Sequence, residues 1–268
     1  MKDDGSSLSR QIGTLLDELR ASLAFLTRLP SSVIGSDPVV RPDFTIAARM
    51  FPVAGALIGV AGGVTLILGW FLGLFPFVTA TLAVVTTVVL TGALHEDGLA
   101  DAADSFGGAT REKKFEIMDD SRIGTYGALA IAVSIVLRAA ALTAVLGRVG
   151  PLAAALALVA GEAVSRAALV RMWHDLPAAR ASGLANDTGP PDYNAMLVAL
   201  TLTVAIVVLL ALPAMGWRAT ALASVLAVAA AYASIRLAAH VLGGRTGDTL
   251  GACQQVALAA FLVGASAV

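Results

Sequence analysis

The chain has 268 residues, 57% of them hydrophobic and only 14% charged, with a mean hydropathy of +0.83. Soluble domains carry about 25% charged residues, so the deficit points to a membrane protein. A net charge of −1 excludes a basic nucleic-acid surface, and the single cysteine, Cys253, excludes an internal disulfide or a cysteine metal cluster.

Residues 1–7 are polar and read as disordered, and no short basic start precedes an apolar run, so no cleavable signal peptide is expected. Residues 8–29 carry Leu8, Ile12, Leu15, Leu16, Leu19, Leu23 and Leu26 at helical spacing and end at Pro30. This amphipathic helix is too polar to span; it should lie on the membrane surface or against the bundle. Ser31, Ser32, Gly35, Pro38 and Pro42 mark a loop over 31–45. Residues 1–48 thus form an N-terminal tail, surface helix and loop, and 49–268 a membrane-embedded domain. Apolar runs near the ~20 residues of a span fall at about 51–74, 77–94, 127–147, 151–171, 194–214, 218–240 and 250–268. Gly55, Gly59 and Gly63 give two Gly-x-x-x-Gly steps suited to close helix packing. The fold class is all-α: a polytopic integral membrane bundle of about seven spans, within a range of six to eight.

Seven spans put the N-terminal region and loops 95–126, 172–193 and 241–249 on one side. The other side has only short turns, with Arg148 and Arg218 as its basic residues. The positive-inside rule makes the first side cytoplasmic, and every polar motif lies there. Within spans, Glu162 and Arg166 stand at i, i+4 and can pair. Arg166 and Arg236 lie near cytoplasmic ends and can snorkel, whereas Arg138, mid-span, should face the bundle interior, in reach of an anionic ligand.

Residues 95–127 are the informative stretch. Of the 19 acidic residues, Glu96, Asp97, Asp101, Asp104, Glu112, Glu116, Asp119 and Asp120 are concentrated here. Asp97, Asp101 and Asp104 at i, i+4 and i+7 share one helical face and repel one another unless a cation sits among them. Oxygen ligands suit Mg²⁺, or Mn²⁺, better than zinc, and Mg²⁺ keeps positions for water and phosphate. Arg111, Lys113, Lys114 and Arg122 can hold phosphate oxygens. A solvated charged loop accounts for any one of these residues alone. It does not account for a carboxylate ladder set among Gly98, Gly107, Gly108, Gly124 and Gly127.

Two more polar loops lie on the same side. One runs Trp173-His174-Asp175-Leu176-Pro177-Ala178-Ala179-Arg180 to Ser182-Gly183-Leu184. The other is Gly243-Gly244-Arg245-Thr246-Gly247-Asp248-Thr249-Leu250-Gly251-Ala252, which combines open backbone N–H groups, hydroxyls, one Arg and one Asp at an expected helix start. Such a turn alone is more often a plain helix cap.

The motifs His95-Glu96-Asp97-Gly98-Leu99-Ala100-Asp101 and Asp120-Ser121-Arg122-Ile123-Gly124-Thr125-Tyr126-Gly127 resemble the cobalamin synthase family, the adenosylcobinamide-GDP ribazoletransferases. So do Phe25-Leu26-Thr27-Arg28-Leu29-Pro30, Phe51-Pro52-Val53-Ala54-Gly55 with Gly59, Pro177 to Arg180 with Gly183-Leu184, and the Gly243–Ala252 loop, which together cover about residues 23 to 255. The resemblance implies a bacterial inner-membrane enzyme with its site loops facing the cytoplasm. It would join adenosylcobinamide-GDP to α-ribazole or its 5′-phosphate and release GMP, alone or in an oligomer or pathway complex.

On that reading Glu96, Asp97, Asp101 and Asp104 hold metal. One of them, Asp119, Asp120 or His95 takes the hydroxyl proton, and Arg111, Lys114, Ser121, Arg122, Arg180, Thr246 and Asp248 contact substrate or phosphate. The chain departs from the family where Gln254, Gln255 and Val256 follow the third motif, a place where members carry a Glu. Without the resemblance, the residues imply a membrane-embedded, Mg²⁺-dependent transferase of a phosphate-linked group. CDP-alcohol phosphotransferases also use an Asp-Gly-x-x-Ala start with a carboxylate ladder, but they put Arg after the Ala, whereas this chain runs Asp97-Gly98-Leu99-Ala100-Asp101, and its later Gly and Asp spacing does not fit. A cation-coupled transporter would carry its acids at mid-depth and not at a membrane end.

Overall fold

Proline and glycine set the helix boundaries. The computed structural model describes residues 4–35, 43–180 and 189–267, and its described regular structure is helical apart from one isolated β-bridge. The helices are α1 (Asp4–Leu26), α2 (Ser31–Ile34), α3 (Phe44–Ala47), α4 (Phe51–Phe71), α5 (Pro76–Thr91), α6 (Leu94–Asp104), α7 (Arg111–Met118), α8 (Thr125–Val149), α9 (Pro151–Asp175), α10 (Tyr193–Ile206), α11 (Leu212–Leu242) and α12 (Gly247–Ala265). Pro52, Pro76 and Pro151 occupy first turns, where the missing N–H costs nothing.

Among the described residues five helical stretches are long and apolar enough to cross a membrane, and six if α5 and α6, bent by 90°, are taken as one broken crossing. The stretch Tyr193–Leu242 counts once in that total. Gly216 within it has φ 77° and ψ 169°, a backbone that ends one helix and starts the next. Splitting it there recovers the seven crossings expected from hydropathy. Three boundaries differ from the sequence reading. α1 begins at Asp4, inside the segment expected to be disordered, and ends at Leu26, before Leu29. The expected loop 95–126 contains α6 and α7. The 31–45 loop holds α2 and the start of α3; its residues 36–42, and 181–188 of the second polar loop, lie outside the described residues.

α9 is the axis of the bundle, with 89% of its apolar window buried inside the protein. The Gly55, Gly59 and Gly63 stripe explains how α4 reaches it. A Cβ on these glycines would sit 2.5 Å from Glu162 O, 2.7 Å from Val159 Cα and 3.1 Å from Ala155 Cβ. Two backbones this close gain dispersion that lipid cannot match. The second half of α1 packs on the bundle. Phe25, Phe44, Phe51 and Trp173 form an aromatic cluster, and Arg49 donates to both Glu18 oxygens at 2.6 and 2.7 Å. Of the two roles expected of this helix the structure shows the packing one; in its first half Ile12, Leu15 and Leu16 are exposed.

Candidate functional site

The site is made where α6 turns out of the membrane direction. Gly92 (φ 61°) and Ala93 (φ 57°) are consecutive left-handed residues, and they produce the 90° bend between α5 and α6. Ala93 is the one non-glycine with positive φ among the described residues, at a cost of about 1–2 kcal/mol. Such strain persists where the surroundings impose it. α6 then lies across the end of the bundle, with His95, Glu96, Gly98 and Ala100 buried and Asp97 exposed at the mouth.

Glycine contacts fix the opposite wall. A Cβ on Gly98 would lie 2.9 Å from Asp248 O and 3.0 Å from its Cα, while one on Gly251 would lie 3.3 Å from the His95 backbone. The start of α12 therefore crosses α6 at backbone contact, and Asp248 comes to stand beside Asp97 and Asp101. Burial, then the charges of Asp97, Asp248 and Asp104, push the Asp101 carboxyl up to about 6. Thr246 caps α12, accepting from Thr249 N (3.2 Å), and its hydroxyl donates to Asp248 Oδ2 (3.3 Å).

The other two loops are fastened to this wall. Ala178 and Arg245 form a parallel bridge, with Ala179 N donating to Arg245 O and Arg245 N to Pro177 O, both at 2.8 Å. Gly244 permits the approach, since a Cβ there would lie 2.5 Å from Pro177 O. The α7 helix closes the third side. Arg111 donates to Ala179 O (2.7 Å), and Arg180 donates to both Asp119 oxygens (2.7 and 2.8 Å). Both guanidinium carbons sit 5.5 Å from the Phe115 ring centroid. Arg180 is also near enough to Asp248 for their charges to interact.

The remaining sequence candidates have other surroundings. Asp104 accepts from Gly124 N (2.7 Å) and Gly127 N (2.8 Å), so both its oxygens hold the start of α8. A Cβ on either glycine would come within 2.4 Å of that carboxylate, which explains why the motif has glycine at both places. Lys114 donates to Gly108 O (2.6 Å) and Ser105 O (3.2 Å) and closes the turn after α6. Arg122 is exposed and paired with Asp120 (2.6 Å), with Ser121 exposed between them.

Glu96 points the other way, into the bundle. Its Oε1 accepts from Arg138 Nη2 (3.1 Å) and Gln255 Nε2 (3.0 Å). The chain of bonds continues from Gln255 to Gln254 (3.0 Å) and from Gln254 to Ser165 (2.8 Å), which also accepts from Arg166 (3.2 Å). Arg166 pairs with Glu162, as the i, i+4 spacing implies, but is buried and does not snorkel. His95 is 2% exposed, and neither ring nitrogen has a hydrogen-bond partner among the described residues. Gln254 and Gln255, read from sequence only as a departure from a family pattern, are thus members of a buried polar network. Their one local signal is polarity within an apolar helix. Among the described residues no three His, Cys, Asp or Glu side chains converge to form a metal cage.

The profile of the cobalamin-5-phosphate synthase family matches residues 18–266. Curated relatives named adenosylcobinamide-GDP ribazoletransferase include one from Azorhizobium caulinodans, 45% identical over 252 residues (93% of this chain, 95% of the relative). Another, from Allorhizobium ampelinum, is 44% identical over 243 residues (90% and 93%), and one from Brucella anthropi is 40% identical over 259 residues (95% and 98%). No solved structure matches the chain.

Proposed function

The chain belongs to the cobalamin-5-phosphate synthase family, and we infer that the mouth between α6, α7 and the start of α12 is where it acts as an adenosylcobinamide-GDP ribazoletransferase. The reaction joins adenosylcobinamide-GDP to α-ribazole or its 5′-phosphate. The ribazole 3′ hydroxyl attacks the phosphorus attached to cobinamide, the bond to the bridging oxygen breaks, and GMP leaves. Such transfer is mostly positioning and charge neutralisation.

The observation that carries this reading is the backbone crossing of Gly98 and Asp248, which sets Asp248 within electrostatic reach of Asp97, Asp101 and Arg180. The mutual repulsion of the three acids fits a divalent cation. That cation would be Mg²⁺ or Mn²⁺, which takes one or two carboxylates, fills its other positions from water and phosphate, and so needs no three-acid cage. Asp97 and Asp101 would hold the ion, with Asp248 across from them. When bound, it neutralises charge on the pyrophosphate and the departing GMP. Arg180, its guanidinium carbon 5.5 Å from the Phe115 ring centroid, would turn to phosphate at the price of its pair with Asp119, and Arg122 stands exposed. Asp104 and Glu96 position α6 from behind. The excess of Lys and Arg on this side supports a mouth facing the cytoplasm.

The test is GMP release by the purified chain in nanodiscs given adenosylcobinamide-GDP, α-ribazole and Mg²⁺. Asp97→Asn, Asp101→Asn, Asp248→Asn and EDTA should each reduce the rate by at least about 10²-fold, the scale of losing one preorganised electrostatic contact. A folded chain that releases GMP equally well in EDTA would overturn the metal assignment. No product with either ribazole form would overturn the placement of the reaction in this chain.

A further inference from the structure

On the opposite flank of α9 from α4, α10 and α11 splay apart and leave a groove of about 1280 Å³. Ala167 and Ala168 of α9 form its floor, and its walls include Val204 of α10 and Val228 of α11. On α11 the lining runs from Trp217 to His240, about 35 Å of helix, which matches the ~30 Å hydrocarbon core of a bilayer. Leu212 and Trp217 line it on either side of the Gly216 break, and it is open along one side. Its lining is almost wholly hydrocarbon. An amide- or phosphate-rich ligand would find no partners in it, and water would gain little there.

The hydroxyls of Thr203, Thr220 and Ser224 along the groove are taken up by backbone carbonyls one turn back, and charged groups appear only at the end nearest the mouth. Arg171 and Asp175 pair at 2.6 Å and cancel. Arg236 lies 6.0 Å over the Tyr232 ring, is exposed, and has no carboxylate partner among the described residues. Among the described residues the rim therefore carries one positive charge without a carboxylate partner, above a slot long enough to take an acyl chain.

We propose that this groove is a binding site for one anionic phospholipid, with an acyl chain between α10 and α11 and its phosphate at Arg236. The test is native mass spectrometry of the full chain released from nanodiscs holding equal phosphatidylglycerol and phosphatidylcholine with identical acyl chains. The wild-type chain should retain one lipid, with phosphatidylglycerol favoured about fivefold, the preference one basic residue near a head group gives. Arg236→Gln, a change on an exposed face, should keep the lipid and lose the preference. Val204→Trp should obstruct the groove and weaken retention of both lipids. Retention of neither lipid, equal retention of both by wild type, or a preference that survives Arg236→Gln would overturn the proposal. So would lipid retention unaltered in a folded Val204→Trp chain, or lipid-free dimers, in which a second copy covers the groove. The Arg236→Gln arm decides the question even if the tryptophan variant fails to fold.

Discussion

Arg138→Met should be among the most damaging changes available outside the mouth. In the native chain Arg138 Nη2 lies 3.1 Å from Glu96 Oε1, with the two side chains 2% and 5% exposed. Unit charges about 4 Å apart attract by about 4 kcal/mol at an effective dielectric of about 20. Desolvation offsets much of this while the pair is intact, but it is borne in full when one partner is removed. Breaking such pairs costs about 3–5 kcal/mol. Here Gln255 still donates to Glu96 at 3.0 Å, so about 3 kcal/mol is the expected loss. Unfolding in mixed micelles titrated with SDS, followed by circular dichroism, measures it. The double variant Glu96→Gln/Arg138→Met should lose less than the sum of the singles, by about 0.5–3 kcal/mol, because the neutral amide no longer needs a cation. A loss below about 1 kcal/mol for Arg138→Met, or strict additivity, would refute the buried pair. Excess Mg²⁺ should not restore Glu96→Gln; restoration would mean that Glu96 reaches the mouth as a ligand.

Gly98→Ala should cut GMP release by about 10²-fold and destabilise by about 1–3 kcal/mol, since its Cβ meets the Asp248 backbone at 2.9 Å and neither helix can yield without moving the acids. Gly251→Ala, with its nearest contact at 3.3 Å, is the milder control, and equal activity in both variants would contradict the close crossing. Asp104→Asn keeps one acceptor oxygen where two backbone N–H groups now bond. It should cost about 1–3 kcal/mol and speed amide hydrogen exchange at 124–127; unchanged exchange there would sink the capping role. Asp101 should make stability depend on pH. Its folded pKa, about 6, exceeds the unfolded 3.8, so the folded chain holds the proton more tightly and stability in EDTA rises as pH falls from 7.5 to 5. Asp101→Asn should flatten that rise in melting temperature, and a wild-type chain that melts no higher at pH 5 would count against the crowded acids.

Much of this architecture was legible in the sequence because it is written locally. Pro76, Gly150 and Gly216 fall at the turns between apolar runs, the Gly55–Gly59–Gly63 stripe faces α9, and Glu162 pairs with Arg166 one turn away. The carboxylate ladder correctly marks a helix. Periodicity could not show which partner each acid meets, because those partners are remote in sequence. Asp104 bonds residues 20 and 23 positions on, and Glu96 is engaged by Arg138 and Gln255, 42 and 159 positions away. The same limit applies to the cations. Lys114 and Arg111 look like free phosphate ligands in the sequence, whereas backbone carbonyls occupy them in the fold.

The burial of α9 has a consequence for how the protein is made. A helix that meets lipid over so little of its surface is under no pressure to be lipophilic, and α9 carries Glu162 and Arg166 near its middle. On insertion scales each charge costs about 2.5–3.5 kcal/mol at a helix centre, so α9 is a poor candidate to leave the translocon alone. The glycine face of α4 is synthesised about a hundred residues earlier and is already in the bilayer when α9 emerges. Biogenesis of the bundle is thus ordered by the chain itself: the early helix supplies the surface that admits the later, more polar one, and a nascent chain lacking that glycine face would stall at its fourth crossing, before Arg180 and Asp248 reach the acids of α6.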